Sequence, residues 1–137
     1  MNIDSIQNGI VIDHITAGLG MKLYELLDLA SIDASIALIK NVSSKKMGKK
    51  DIIKIDADIP VNFDVVGFLV PEATVNIIKG GILVEKRNID MPETLTNVIK
   101  CKNPRCITTC EQELDNIFKL TDKDAKVYRC IYCETKA

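Results

Sequence analysis

The chain has 137 residues, of which 47% are hydrophobic and 27% charged, and its net charge is −1. This length suits one domain or two small ones, and the near-neutral charge excludes an overall basic field for nucleic acid or an anionic membrane. Because there is no Trp and only three Phe and three Tyr, we expect an aliphatic core.

The N-terminal stretch MNIDSIQNGIVIDHI lacks a basic region followed by an apolar run, so we do not predict a signal peptide. No stretch approaches the roughly 20 apolar residues that cross a bilayer, so no membrane partner is expected. We therefore predict a cytoplasmic protein. Thiols stay reduced in that compartment, and paired cysteines there indicate metal ligands before disulfides.

Short β-branched runs predict strands, and apolar residues at helical spacing predict a first helix. Asn62 is the expected N-cap of a second helix, which Pro71 ends, and Gly80-Gly81 suits a two-residue hairpin turn. The predicted elements are a strand at 9–15, a helix at 18–30, strands at 34–42 and 49–56, a helix at 63–70 and a hairpin at 73–87.

This order is that of a split βαβ, or ferredoxin-like, domain. We predict an α+β fold with one antiparallel sheet, two helices on one face and the other face open. The stretch NIDMPETL, at 88–95, contains Pro92 and reads as a linker. All five cysteines follow it, so the predicted domains are residues 1–92 and a small β-rich domain at 93–137.

Four cysteines form two tight pairs, C-x4-C in CKNPRC and C-x2-C in CIYC. Two turns of this kind can bring four thiolates to one tetrahedral ion, which favours Zn²⁺ held by Cys101, Cys106, Cys130 and Cys133. Iron–sulfur ligation fits the same spacing. Five packed cysteines without metal and a redox C-x2-C pair are the weaker interpretations, and Cys110 is left over.

A site closed by four thiolates has no open position, so it stabilises structure and does not activate water. From residue 97 to the end there are eight Lys or Arg and six Asp or Glu, a surplus of two positive charges. Four thiolates around Zn²⁺ offset that surplus. This balance favours a protein-contacting module over a nucleic-acid partner, which needs a basic face.

Polar residues of the first domain offer two further candidates. Asp13 and His14 could form a base and its orienting acid, but adjacent strand residues point to opposite faces, which favours a structural histidine. Lys50 and Lys54 share a strand face, and Lys86 lies on the last strand. These lysines could bind a polyphosphate, or they could protect a solvated edge strand.

Several segments together carry a resemblance to a known family. GIVIDHI, MGKKDIIKID, PEATVNII and the two cysteine pairs occur in the same order in the regulatory chain of aspartate carbamoyltransferase. The chain resembles that family over nearly its whole length.

The resemblance implies a non-catalytic allosteric subunit in pyrimidine biosynthesis. Its first domain is expected to bind the nucleotide effectors CTP and UTP, which inhibit, and ATP, which activates, and to pair with a second regulatory chain. Its zinc domain is expected to hold the catalytic chain, so that three regulatory dimers link two catalytic trimers.

The resemblance also implies roles for single residues. Asp13 and His14 match positions that contact ribose and phosphate in the family. Lys86 matches a lysine that meets the triphosphate, and Lys50 and Lys54 match lysines near the ligand. Further expected contacts are Ile6 and Asn76 in the pocket, the backbone of residues 3–5 at the base, and zinc at the four paired cysteines. Gly80-Gly81 departs from members that carry an aromatic residue near the base.

Two other classes of function stay open on the residues alone. One is a free-standing zinc-ribbon protein that binds RNA or DNA with a steep salt dependence. The other is an enzyme that uses Asp13 and His14, although no nucleophile motif, phosphate loop or carboxylate pair supports it.

Overall fold

The computed structural model describes residues 6–111 and 113–137. The chain divides into two compact units, Met1–Asp90 and Met91–Ala137. Within the described residues, none of the helices has the length and apolar character required to span a bilayer.

The first unit is the α+β domain that the sequence predicts. Its five strands form one antiparallel sheet in the order β2-β3-β1-β4-β5. The elements are β1 Gly9–Thr16, α1 Gly20–Leu26, β2 Ser35–Ser44, β3 Gly48–Asp56, α2 Phe63–Leu69, β4 Thr74–Lys79 and β5 Ile82–Asn88.

Helix α1 is shorter than the predicted helix over 18–30. It ends at Leu26, and a single 3-10 turn, Leu29–Ser31, follows it. Asp28 separates the two because its φ of 54° is left-handed, which stops the right-handed helix. The predicted cap of α2 is confirmed, since the Asn62 side chain accepts a hydrogen bond from the Asp64 N–H at 3.0 Å.

One face of the sheet forms the aliphatic core. Ile12, Ile53 and Val75 are fully buried on three neighbouring strands, and Leu23 of α1 and Val66 of α2 are fully buried with them. Helix α1 contacts β2, β3 and α2. Each such side chain stabilises the fold by about 1.5–3 kcal/mol relative to an exposed one.

Strand β3 is flanked by two β-bulges. On one side Ile12 pairs with Ile53 and Ile15 with Asp51, so Asp13 and His14 together oppose the single residue Ile52. On the other side, residues 40 and 41 of β2 together oppose Asp51. Each bulge holds a left-handed residue, His14 with φ 57° and Asn41 with φ 62°.

The turn between β4 and β5 adopts the predicted conformation. Gly80 and Gly81 have φ values of 61° and 76°, as a two-residue hairpin turn requires of both residues. The Gly81 N–H donates to the Gln7 carbonyl at 2.9 Å, and the Gly80 N–H donates to the Asn8 side chain at 3.2 Å. Gln7 and Asn8, directly before β1, are thereby fixed to the tip of the hairpin.

The second unit is a small β-rich domain. Its strands are β6 Thr94–Thr96, β7 Ile117–Asp122 and β8 Val127–Cys130, paired antiparallel in that order, with a one-turn helix α3, Ile107–Cys110. Leu95, Phe118 and Tyr128 make its core, and the Tyr128 hydroxyl donates to the Pro92 carbonyl at 2.6 Å.

Candidate metal centre and ligand face

The four paired cysteines converge on one point in the second unit. Their sulfur atoms all lie within 4.8 Å of one another. Two of the S···S distances are 3.5 Å, between Cys101 and Cys133, and 3.6 Å, between Cys106 and Cys130. Thiolates about 2.3 Å from a tetrahedral ion lie about 3.8 Å apart, so the cluster fits Zn²⁺.

Two tight turns place these sulfur atoms. In the first, the Asn103 side chain accepts from the Arg105 N–H at 3.0 Å, and the Asn103 carbonyl accepts from the Cys106 N–H at 3.1 Å. In the second turn, the Glu134 N–H donates a hydrogen bond to the Cys130 carbonyl at 2.9 Å, and Glu134 has a left-handed backbone conformation. Asn and Pro in KNPR are the local signal for the first turn.

Hydroxyl and backbone groups around the sulfur atoms favour thiolates at two of the four positions. The side chain and backbone N–H of Thr108 lower the pKa of the Cys106 thiol, and those of Thr135 lower the pKa of the Cys133 thiol to about 6. Partial burial raises the pKa of the Cys101 thiol to about 12. Metal binding displaces the remaining thiol protons, so metal affinity falls as the pH is lowered.

Cys110 does not belong to the described cluster and is exposed at the end of α3. The four thiols already complete a tetrahedral shell, and the site therefore stabilises this small unit without performing chemistry.

In the first unit, predicted site residues lie in one row across the open face of the sheet. Lys54 pairs with Val11, Val11 with Asn76, and Asn76 with Lys86. Directly opposite residues of antiparallel strands project to the same face, so these four side chains are neighbours. Adjacent strands are about 4.8 Å apart, which places the backbones of Lys54 and Lys86 about 14 Å from each other.

Asp13, His14 and Lys50 form a cluster beside this row. The Lys50 Nζ atom lies 2.9 Å from Asp13 Oδ1, and His14 Nδ1 lies 3.1 Å from the Thr74 hydroxyl and 3.9 Å from Asp13 Oδ2. The expected opposition of Asp13 and His14 across the sheet does not hold. The bulge places an extra residue in β1 and interrupts the alternation of its side chains.

The charge state of Asp13 depends on these neighbours. Burial raises the pKa of its carboxyl, but the hydrogen bonds from Lys50 and the His14 N–H, with the charges of both residues, bring it below the ordinary value of 3.8. The site therefore holds a carboxylate and an ammonium side by side near neutral pH.

Asn76 carries an unused acceptor in the middle of the row. Its Oδ1 atom is buried and has no hydrogen-bond partner among the described residues. A buried acceptor left without a donor costs about 1–3 kcal/mol, so this oxygen is available to accept a hydrogen bond from a water or a bound molecule.

Ile6 precedes β1, which begins at Gly9, and lies outside the lysine row. Ile6 is buried, and its Cγ2 atom lies 3.0 Å from where a side chain on Gly9 would begin. A side chain on Gly81 would approach the Gln7 amide to 3.3 Å. The expected backbone contacts of residues 3–5 lie outside the described residues.

Sequence reasoning missed two groups of this site. Thr74 orients the His14 ring, and Gln7 lies beside Gly81. Neither has a local signal in the sequence, because both are placed by pairing between distant strands.

Two family profiles match the chain. One is described as the aspartate carbamoyltransferase regulatory chain, allosteric domain, and covers residues 1–90; the other is the metal binding domain of the same chain and covers residues 93–137.

Similar proteins carry the same description, aspartate carbamoyltransferase regulatory chain. One from Clostridium botulinum strain Hall is 48% identical over 134 residues, covering 98% of this chain and 92% of the relative. One from Clostridium tetani is 47% identical over 135 residues, covering 98% and 94%. One from Bifidobacterium longum is 44% identical over 137 residues, covering 100% and 99%.

A regulatory α+β domain followed by a closed metal-binding domain defines a non-catalytic subunit of a larger enzyme. The chain belongs to the aspartate carbamoyltransferase regulatory chain family. Its four clustered cysteines are the ligands expected of a structural zinc ion.

We predict that the cluster binds about one zinc ion per chain and that Cys133→Ser loses it. The second unit then unfolds, because metal binding supplies about 10 kcal/mol or more to small domains of this kind. Zinc content by atomic spectrometry and amide exchange over β7 and β8 measure both effects. Cys110→Ser, outside the cluster, is the control and should retain the metal. Loss of zinc from the Cys110→Ser chain would contradict the assignment of the four ligands.

We predict that Asp13→Asn lowers the free energy of unfolding near neutral pH. Because the folded-state pKa of Asp13 is lowered, its contribution is present above 3.8 and disappears as the pH falls through the folded value. Urea denaturation of both proteins between about pH 7 and pH 3 measures the difference. Zinc release at low pH destabilises the wild type and the Asp13→Asn chain equally, so it does not contribute to the difference between their free energies of unfolding.

A Lys50→Met background is the control for this pH dependence. Without its ammonium, Asp13→Asn should have a smaller effect that varies less with pH. An Asp13→Asn difference that stays constant over the whole range would contradict the role given to the ion pair.

Proposed function

We propose that the open face of the first unit is the nucleotide effector site of this regulatory chain. The observation that carries this proposal is the in-register row Lys54–Val11–Asn76–Lys86 beside the Asp13–His14 bulge. Ammonium groups, a carboxylate, an imidazole and an unused amide oxygen lie on one side of one sheet. This combination suits a ligand with phosphates at one end and hydroxyl donors at the other.

Each side chain contacts a different part of the nucleotide in this proposal. Lys86 is exposed at the edge of the row and meets the triphosphate as a point charge. Asp13 accepts from ribose hydroxyls, while its ion pair holds Lys50 in place beside the phosphates. His14 uses Nδ1 on Thr74 and turns its second ring nitrogen to the ligand.

Lys54 and Asn76 complete the site next to the base and sugar. The buried Asn76 Oδ1 atom accepts a ligand N–H or O–H, which removes its unsatisfied state. Ile6, which precedes β1, gives an apolar wall. We propose that the effectors are CTP and UTP, which inhibit, and ATP, which activates.

Regulation then depends on differential affinity. A nucleotide changes the activity of the assembly only if it binds the low-activity and high-activity states unequally. CTP and UTP favour the first state in this proposal, and ATP favours the second. All three share the triphosphate subsite and therefore compete.

The zinc domain, residues 93–137, is proposed to bind the catalytic chain. Ile131 and Tyr132 in the second cysteine turn are 47% and 42% exposed, and Ile107, at the start of α3 next to Cys106, is 49% exposed. Aromatic and aliphatic side chains on a surface of low net charge suit a protein partner. Residues 1–92 are proposed to pair with a second regulatory chain, and three such dimers to link two catalytic trimers in the cytoplasm.

We predict that CTP and ATP compete for one site on the zinc-loaded chain and that Lys86→Ala weakens both by about tenfold to a hundredfold. The reason is the loss of a charge-assisted contact to phosphate. Isothermal titration calorimetry measures the affinities. Lys22→Ala, on the exposed side of α1, is the matched control and should bind as the wild type does. Failure of the wild-type chain to bind either nucleotide would reject the effector site.

We predict that removal of zinc from the assembly releases the regulatory chain and leaves active catalytic trimers that do not respond to CTP. The exposed apolar side chains lie between or directly next to the cysteines that hold the metal, so the contact surface is lost with the ion. Sedimentation velocity and activity assays with and without CTP test this. A zinc-free assembly that sediments intact and remains inhibited by CTP would contradict the proposal.

A further inference from the structure

Asp51 is a fully buried acid on the side of β3 opposite the ligand face. Its Oδ2 atom accepts from the backbone N–H groups of Gly18 and Gly20 at 3.1 and 2.9 Å. Its Oδ1 atom accepts from the backbone N–H of Asn41 at 2.9 Å. One carboxylate therefore joins the turn that follows β1, the start of α1 and the bulge of β2.

Asp51 supplies hydrogen-bond acceptors to all three segments. The N-cap of α1, Leu19, makes no side-chain cap, so Asp51 provides the acceptor for the first turn. Gly18 and Asn41 have left-handed φ values of 94° and 62°. The buried carboxylate in turn requires these donors, because an unpaired buried charge is strongly unfavourable.

The position of Asp51 connects it to the ligand face. It pairs with Ile15, the first residue of β1 after the bulge formed by Asp13 and His14. Lys50, the preceding residue, projects to the open face and contacts Asp13. The end of β1 is thus fixed to β3 directly after the bulge, and the extra residue must remain between Ile12 and Ile15.

Without this attachment the bulge could move along the strand. A shift of one residue in the pairing of β1 would turn its side chains to the other face of the sheet. His14 and Asp13 would then no longer lie beside Lys50 on one face. The carboxylate of Asp51 opposes such a shift because the hydrogen bonds from Gly18 and Gly20, which follow β1, would break, while the bond from Asn41 on β2 holds the carboxylate in place.

We propose that Asp51 is a positioning residue for the effector site. It holds the Asp13–His14 bulge in register from the opposite side of the sheet and joins it to the bulge of edge strand β2. This inference rests on the proposed nucleotide site and adds a residue that does not touch the nucleotide.

Asp51→Asn is the direct test. The side chain keeps its size, but its NH₂ group must face at least one backbone N–H that the carboxylate accepted. The structural control is Val70→Ala, a fully buried position at the end of α2. It removes core volume and leaves the three hydrogen bonds of Asp51 in place.

Two measurements on the zinc-loaded full chain distinguish positioning from loss of stability. His14 is the only histidine, so its ring Cε1–H signal in NMR spectra requires no assignment and reports the bulge without ligand. Calorimetry with CTP reports the site. We expect Asp51→Asn to move the His14 signal and to raise the Kd for CTP by about tenfold or more. Val70→Ala, with a similar loss of Tm, should change neither.

Other results would overturn the inference. An Asp51→Asn chain with the wild-type His14 signal and Kd would show that the bulge does not depend on Asp51. Equal changes in Val70→Ala would show a general effect of stability. If the wild-type chain does not bind CTP, the proposed function fails, while the His14 signal still decides whether Asp51 sets the bulge.

Gly20→Ala keeps the test decisive if Asp51→Asn does not fold. A methyl group on Gly20 would lie 2.8 Å from Asp51 Oδ2. The substitution therefore displaces the carboxylate without removing its charge. The same shift of the His14 signal and the same weaker binding are expected. A folded Gly20→Ala chain with wild-type values of both would reject the proposal.

Discussion

The pairing of the central strand β1 with β3 and β4 is the constraint on which the first unit depends. β1 carries Ile12 and Ile15, both fully buried, on the side that packs against the helices. Its partners fix which residues face the opposite side, including Val11 between Lys54 and Asn76. The hydrophobic core thus specifies the register, and the register assembles the polar row on the open face.

The second unit depends on a different constraint. Residues 91–137 are too few to bury a large core, and the described core is centred on Leu95, Phe118 and Tyr128. A metal ion bound by the four cysteine sulfur atoms supplies the folding free energy that this small core does not provide. The proposed contact surface consequently depends on the metal, since the exposed Ile131 and Tyr132 lie between Cys130 and Cys133 and Ile107 directly follows Cys106.

These two designs suit a chain that transmits a signal and performs no chemistry. The metal site is closed, and the Asp13–His14 pair is engaged with Lys50 and Thr74 and has no nucleophile motif to activate. Binding free energy is the only quantity that such a chain can pass to its partner. In the proposed function, a few side chains on a rigid sheet convert the presence of a nucleotide into a preference between two states of the assembly.

The sequence by itself determined the features that local patterns encode. The spacing of CKNPRC and CIYC predicted the metal cluster, the strand and helix order predicted the fold class, and two glycines predicted the hairpin turn. Alternation along β3 also placed Lys50 and Lys54 on one face, because residues two and four apart on a strand point the same way. Individual roles at the ligand face came only from the resemblance to the family.

The tertiary structure alone decided where regular alternation stops. The bulge in β1 brings the side chains of Asp13 and His14 close together, against the expectation from a regular strand. Asp51 and Thr74 act through contacts across 31 and 60 positions of the chain, respectively. Local sequence specifies which way a side chain points from its own strand, but the extra residue in a bulge is fixed by the pairing of distant strands, which only the folded sheet defines.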